Sequence, residues 1–124
     1  MANPRPVIGL SIAVAVALGL GVAACSSSGS GGAGSSAVPV ATAVVDLPPS
    51  YRFAPEAISV AAGTTVTWTN NDPVPHTVTD VNQAWDSGLF DQGTTFSRTF
   101  TEPGTYDYYC IPHPMMIGKV VVTG

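Results

Sequence analysis

The 124-residue chain carries four basic and eight acidic residues, a formal net charge of −4, and only 10% of its residues are charged. A surface of that sign repels phosphate backbones, which excludes nucleic acid as a partner. Once an N-terminal export segment is subtracted, about 100 residues remain, enough for one domain whose core can hold without disulfides.

The export segment is the first element. Residues 1–24 open with Arg5, continue through the apolar run VIGLSIAVAVALGLGVAA and end on small residues before Cys25, the layout of a secretory signal. The run is long enough to be weighed as a membrane-spanning helix, and the residues at the cleavage point decide. Val22-Ala23-Ala24-Cys25 resembles a bacterial lipobox, in which the cysteine is acylated and becomes the mature N-terminus. Loss of Arg5 with the leader leaves Arg52, Arg98 and Lys119 against eight acidic residues, a net charge of −5. Residues 25–37 follow as a Gly/Ser-rich tether with no apolar periodicity. The expectation is an exported bacterial protein, lipid-anchored through Cys25 to the outer face of the cytoplasmic membrane or held in the periplasm or cell envelope.

Residues 38–124 read as one all-β domain. Thr64–Asn70 (TTVTWTN) alternates, with Val66 and Trp68 on one face and threonines on the other, as a half-buried strand does. Ile58 and Val60 precede it across the break Ala61-Ala62-Gly63. Further strands are expected at His76–Asp80, Thr94–Phe100, Tyr106–Cys110 and Lys119–Thr123. Between them lie turn residues, at Asn70-Asn71-Asp72-Pro73, Asp91-Gln92-Gly93 and Glu102-Pro103-Gly104. No window has the period of an amphipathic helix. Short strands with regular turns imply a two-sheet antiparallel sandwich.

The chemistry is concentrated near the C-terminus. Beyond the leader and Cys25 the chain has two histidines, one cysteine and two methionines, and four of these five lie within Cys110-Ile111-Pro112-His113-Pro114-Met115-Met116. A thiolate, an imidazole and a thioether are soft ligands that select copper over magnesium, calcium or manganese. His76 is the one remaining imidazole, and it completes a His₂Cys plane with a methionine as axial ligand, the blue-copper arrangement. Zinc accepts imidazole and thiolate, but thioether is not among its usual ligands and the Cys110–Met116 loop has no carboxylate to act as a base. Each residue also has a bland reading: Cys110 as a buried core thiol, His76 as a turn residue, the methionines as core filler. For a protein without a site, all of these would have to hold together.

From about Tyr51 to Thr123 the chain resembles the plastocyanin and azurin family of cupredoxins, most of all its amicyanin-like members. The resemblance rests on Thr64-Thr65-Val66-Thr67-Trp68, Pro75-His76, Pro103-Gly104-Thr105-Tyr106, and above all on Cys-x-x-His-Pro-x-Met at Cys110 to Met116. It implies an eight-stranded Greek-key β-sandwich with one copper ion at one end, bound by His76, Cys110, His113 and Met116. It further implies a monomeric electron carrier, not an enzyme, that docks briefly with redox-protein donors and acceptors near His113. Pro73, Val74, Pro75, Pro112, Pro114 and Met115 are the expected apolar rim of that docking face. One departure is Thr77, where the family usually has an asparagine that ties the two ligand loops together. Two rival functions use the same fold: a copper-delivering protein with the same ligands, and a structural sandwich with no metal.

Overall fold

The computed structural model describes residues 34–124. The leader, Cys25 and the tether up to residue 33 lie outside them. Eight strands form in the order β1 (Val40–Ala41), β2 (Val44–Leu47), β3 (Ala57–Ala61), β4 (Thr64–Asn70), β5 (Thr79–Asp80), β6 (Thr95–Phe100), β7 (Gly104–Cys110) and β8 (His113–Thr123). They make a five-stranded sheet, β1-β3-β8-β7-β5, packed against a three-stranded one, β2-β4-β6.

The all-β sandwich is the one expected, but its pairing is mixed. The pairs β1–β3, β2–β4 and β3–β8 run parallel, while β4–β6, β5–β7 and β7–β8 run antiparallel. The reason is the path of the chain. From β1 to β7 each strand passes to the opposite sheet, so neighbours within a sheet are not joined by a hairpin and need not reverse direction; only β7–β8 is such a hairpin. The strand expected over His76–Asp80 shortens to Thr79–Asp80, because His76 pairs through an isolated bridge with Phe90 instead. The last strand is longer than expected and begins at His113.

β4 shows how sequence sets packing. Val66, Trp68 and Asn70 are buried, and Thr65 and Thr67 turn outward to hydrogen-bond their cross-strand partners, Thr99 Oγ1 at 2.7 Å and Ser97 Oγ at 2.9 Å. The turn from β3 to β4 needs Gly63, whose φ of +90° is strained for any residue with a Cβ. Inside, Trp68 meets Tyr108 edge-on at 5.5 Å between centroids and lies within 6.3 Å of Trp85, Phe96 and Phe100, so one side chain joins both sheets.

The start of the domain also differs from expectation. Ser35, read from the sequence as part of the tether, is buried: its hydroxyl donates to Glu56 Oε1 at 2.6 Å and its carbonyl accepts from Lys119 Nζ at 2.7 Å. Glycine and serine side chains carry no hydrophobic pattern, so this docking had no signal in composition.

Candidate metal centre

Two separate pieces of backbone converge at one end of the sandwich. The first is the loop from β4 to β5, which carries His76. Its shape is set by Asn70, whose amide donates to the Val74 and Phe90 carbonyls at 3.0 Å each and whose carbonyl accepts the Asp72 N–H at 2.9 Å. His76 is then clamped by its backbone: Phe90 N–H donates to His76 O at 3.0 Å, and His76 N–H to Phe90 O at 3.3 Å.

The second piece is the β7–β8 hairpin. Cys110 ends β7 and pairs directly with His113, the first residue of β8, so Ile111-Pro112 form the two-residue turn between them. One step back, Tyr109 pairs with Ile117, which leaves Pro114, Met115 and Met116 unopposed on β8. This bulge re-aims the side chains at the strand end. Met116 turns into the core at 2% exposure, and Met115 points outward at 93%. Adjacent residues of an extended segment face opposite sides, and here the core has taken the second of the two.

The ligand atoms meet closely. His76 Nδ1 lies 3.1 Å from His113 Nδ1, and Cys110 Sγ lies 3.5 Å from the first and 3.6 Å from the second. A triangle with these edges has its centre about 2.0 Å from every corner, close to the ~2.0–2.3 Å over which imidazole nitrogen and thiolate bind a first-row metal ion. His76 and Cys110 are buried and His113 is half-buried. Two imidazoles with ring nitrogens turned on one another and on a buried thiol are arranged as ligands. The residues therefore fit a single metal ion, and the donor set suits copper.

The surroundings hold this triangle in place. The Thr77 N–H donates to Cys110 Sγ at 3.3 Å. Neither proline of the hairpin can do so, for lack of an N–H. The Thr77 side chain performs the link expected of an asparagine: the Ile111 N–H donates to its Oγ1 at 2.9 Å, tying the Cys110 loop to the His76 loop. Behind His76, Nε2 lies 3.2 Å from buried Asp72 Oδ2, out of line for a hydrogen bond and without another partner. Burial pushes the Asp72 carboxyl up, but the Val74 N–H, the His76 ring and the Tyr51 N–H together outweigh it and hold the group below the ordinary aspartate range. With the carboxylate on the Nε2 side of the ring, Nδ1 is the nitrogen left facing Cys110 and His113.

His76, Cys110 and His113 are thus brought together, Met116 is buried in the adjoining bulge, and Cys25 lies outside the described residues. Tyr51, Asn70 and Asp72 were missed as parts of the site. Tyr51 packs edge-on against both imidazoles, with centroids 4.6 Å from His113 and 5.9 Å from His76, and holds a φ of 52°. Asn70 and Asp72 read as turn chemistry, which they are; the one available signal was a carboxylate four residues before a lone histidine. Tyr51 had none.

Residues 43–123 match the family described as copper binding proteins, plastocyanin/azurin family. The chain belongs to that family. It is 44% identical to amicyanin of Paracoccus denitrificans over 84 residues, 64% of this chain and 63% of the relative. It is 41% identical to amicyanin-alpha of Methylorubrum extorquens over 76 residues, 57% of this chain and 64% of the relative. The chain thus spans just under two thirds of the length of these two amicyanins. Among solved structures, a purple cupredoxin from Nitrosopumilus maritimus aligns with a TM-score of 0.62 and 37% identity, over 66% of this chain and 100% of that one. An amicyanin variant in its oxidized state aligns at 0.61 and 40% identity, over 64% and 80%. Family membership and donor set agree on copper as the cofactor.

Proposed function

We propose that this protein is a one-electron carrier that uses a single copper ion bound by His76, Cys110, His113 and Met116, and is not an enzyme. The observation that supports this most is the triangle of His76, Cys110 and His113 atoms, sized for one ion, with two of its three residues buried. Bound copper would supply reversible one-electron chemistry. The protein's own part is to keep the ligands still: Asn70 and the Phe90 pairing hold His76, Thr77 holds the Cys110 loop, and Pro112 and Pro114 each remove a φ freedom from the hairpin. The chain has only two histidines, both in the site, which leaves no imidazole for a second metal of the kind a multicopper enzyme needs. A purely structural sandwich would have no use for the convergence of these ring nitrogens on a thiol.

Electrons would pass at His113, the ligand that approaches the surface. Around it Tyr51, Ile111, Pro112, Pro114 and Met115 are exposed and uncharged. Small apolar faces of this kind suit the brief encounters of a monomeric carrier with its redox donor and acceptor. Titration of the full chain with Cu(II) should reach one copper per chain with an intense blue colour and slow metal loss. A colourless stoichiometric complex would overturn the proposal, and rapid exchange of copper would favour delivery over electron transfer.

For the axial position, Met116 is proposed over Met115 because only Met116 faces inward. Met116→Gln should shift the reduction potential and the Cu(II) resonance spectrum while copper stays bound, since the axial ligand tunes the potential through a long, weak bond. Met115→Gln should change both little; a larger spectral change from Met115 would reverse the assignment.

Residues 1–24 are proposed as a leader, and Cys25 as a lipid attachment point that holds the domain on the outer face of the membrane. Cys25→Ala should then move the protein out of the membrane fraction or leave an unprocessed precursor. Unchanged fractionation and processing would refute the anchor.

A further inference from the structure

The link through Thr77 does not end at Thr77. Its hydroxyl lies 2.9 Å from that of Thr79, and Thr79 Oγ1 in turn donates to Asp86 Oδ1 at 2.9 Å. A carboxylate oxygen at the end of such a chain accepts, so it sets the direction of every proton behind it. The single proton of Thr79 goes to Asp86, and Thr79 therefore accepts from Thr77. The single proton of Thr77 goes to Thr79, which turns the Thr77 lone pairs to the Ile111 N–H. Thr77 and Thr79 are 3% and 0% exposed, so water does not substitute for either partner.

The need for this chain follows from the departure at residue 77. A side-chain amide fixes its acceptor oxygen by its own geometry, whereas a hydroxyl proton rotates and settles where a partner draws it. A lone threonine would be a poor latch. Asp86 makes it a directed one, and Asp86 is itself held by the Gly88 N–H at 3.1 Å and by the bridge between Thr79 and Asp86.

We infer that Thr79 and Asp86 are positioning residues for the copper centre, acting through Thr77 to hold the Cys110–Ile111 peptide. The inference rests on the copper reading of His76, Cys110 and His113. Neither side chain is hydrogen-bonded to His76, Cys110 or His113, and the hydroxyl chain reaches the centre through Thr77, which grips Cys110 Sγ with its N–H and the next peptide with its hydroxyl.

The test uses the full chain in two forms. In the metal-free protein, hydrogen exchange at the Ile111 amide should rise about fivefold in Thr79→Val, the effect of one lost hydrogen bond, and return to the wild-type rate in Thr79→Ser. In the copper-loaded protein, Thr79→Val should shift the Cu(II) resonance spectrum and the reduction potential, and Thr79→Ser should restore both. Asp86→Ala, at an exposed turn, should speed Ile111 exchange in the same direction, and the double variant Thr79→Val/Asp86→Ala should be no faster than Thr79→Val alone, because the two act in one chain. Unchanged Ile111 exchange in both single variants, or additive effects in the double variant, would overturn the inference. So would faster exchange with an unaltered copper spectrum and potential, which reduces the chain to a fold contact. A wild-type chain that takes up no copper would overturn the functional reading, and the positioning role with it, while the exchange measurement would still report whether the hydroxyl chain exists.

Discussion

Cys110→Ser should leave the copper-loaded protein colourless. The colour of a blue-copper centre comes from charge transfer between a thiolate and Cu(II), and a serine hydroxyl has no orbital that supplies that transition at visible energies. Cys110 is the one thiol at the site, buried at the end of β7 and opposite His113. The substitution should also weaken copper binding, since an alcohol is a harder and poorer ligand than a thiolate. The sandwich itself should survive, because Cys110 is a free thiol among the described residues and serine keeps an acceptor for the Thr77 N–H. Visible absorption at matched protein and copper concentrations, with circular dichroism as the control for folding, decides it. Retained blue colour in the serine variant would place the chromophore elsewhere and remove the basis of the proposed centre.

Trp68→Ala should cost about 3–5 kcal/mol of stability, the usual loss when a buried tryptophan is truncated. Trp68 is fully buried on β4 of the smaller sheet and touches Tyr108 of the larger one, along with Trp85, Phe96 and Phe100. Its removal opens a cavity that the two sheets cannot close without shifting against one another. Against a total stability of roughly 5–15 kcal/mol the effect is large, and for a domain of this size it should lower the midpoint of thermal unfolding by about 12 °C or more. Metal-free protein is the right material, since bound copper would mask the change by mass action. A loss below about 1 kcal/mol would show that the ring cluster around Trp68 is not what joins the sheets.

Much of the centre was legible from the residues alone. Cys110, His113 and the two methionines stand in one short motif, and His76 was found by elimination because the chain has no third histidine. The strand pattern of Thr64–Asn70 was legible for the same reason that it folds, since alternation along a strand is alternation between core and solvent. Parallel pairing was not legible. Periodicity reports which face a strand buries, and carries nothing about which strand lies beside it or in which direction.

The support of the site was hidden by distance in sequence. Asp72 and Asn70 carry the composition of a turn, and only the folded loop shows Asp72 behind His76 and Asn70 bonded to Phe90, 20 residues away. Thr77 stood out as a departure from an expected asparagine; that it still reaches Ile111 follows from how closely the two loops approach. Tyr51 gave no sign at all, since an exposed tyrosine between serine and arginine has no pattern to break.

The sequence by itself determined the donor types of the candidate centre and their spacing along the hairpin, because metal preference is a property of donor atoms and a two-residue turn brings Cys110 beside His113 whatever surrounds it. The tertiary structure decided the rest. Packing of the two sheets brought His76 within 3.1 Å of His113 across 37 positions of chain, and the bulge in β8 chose Met116 for the interior and Met115 for solvent, since burial depends on which side of a backbone meets the core.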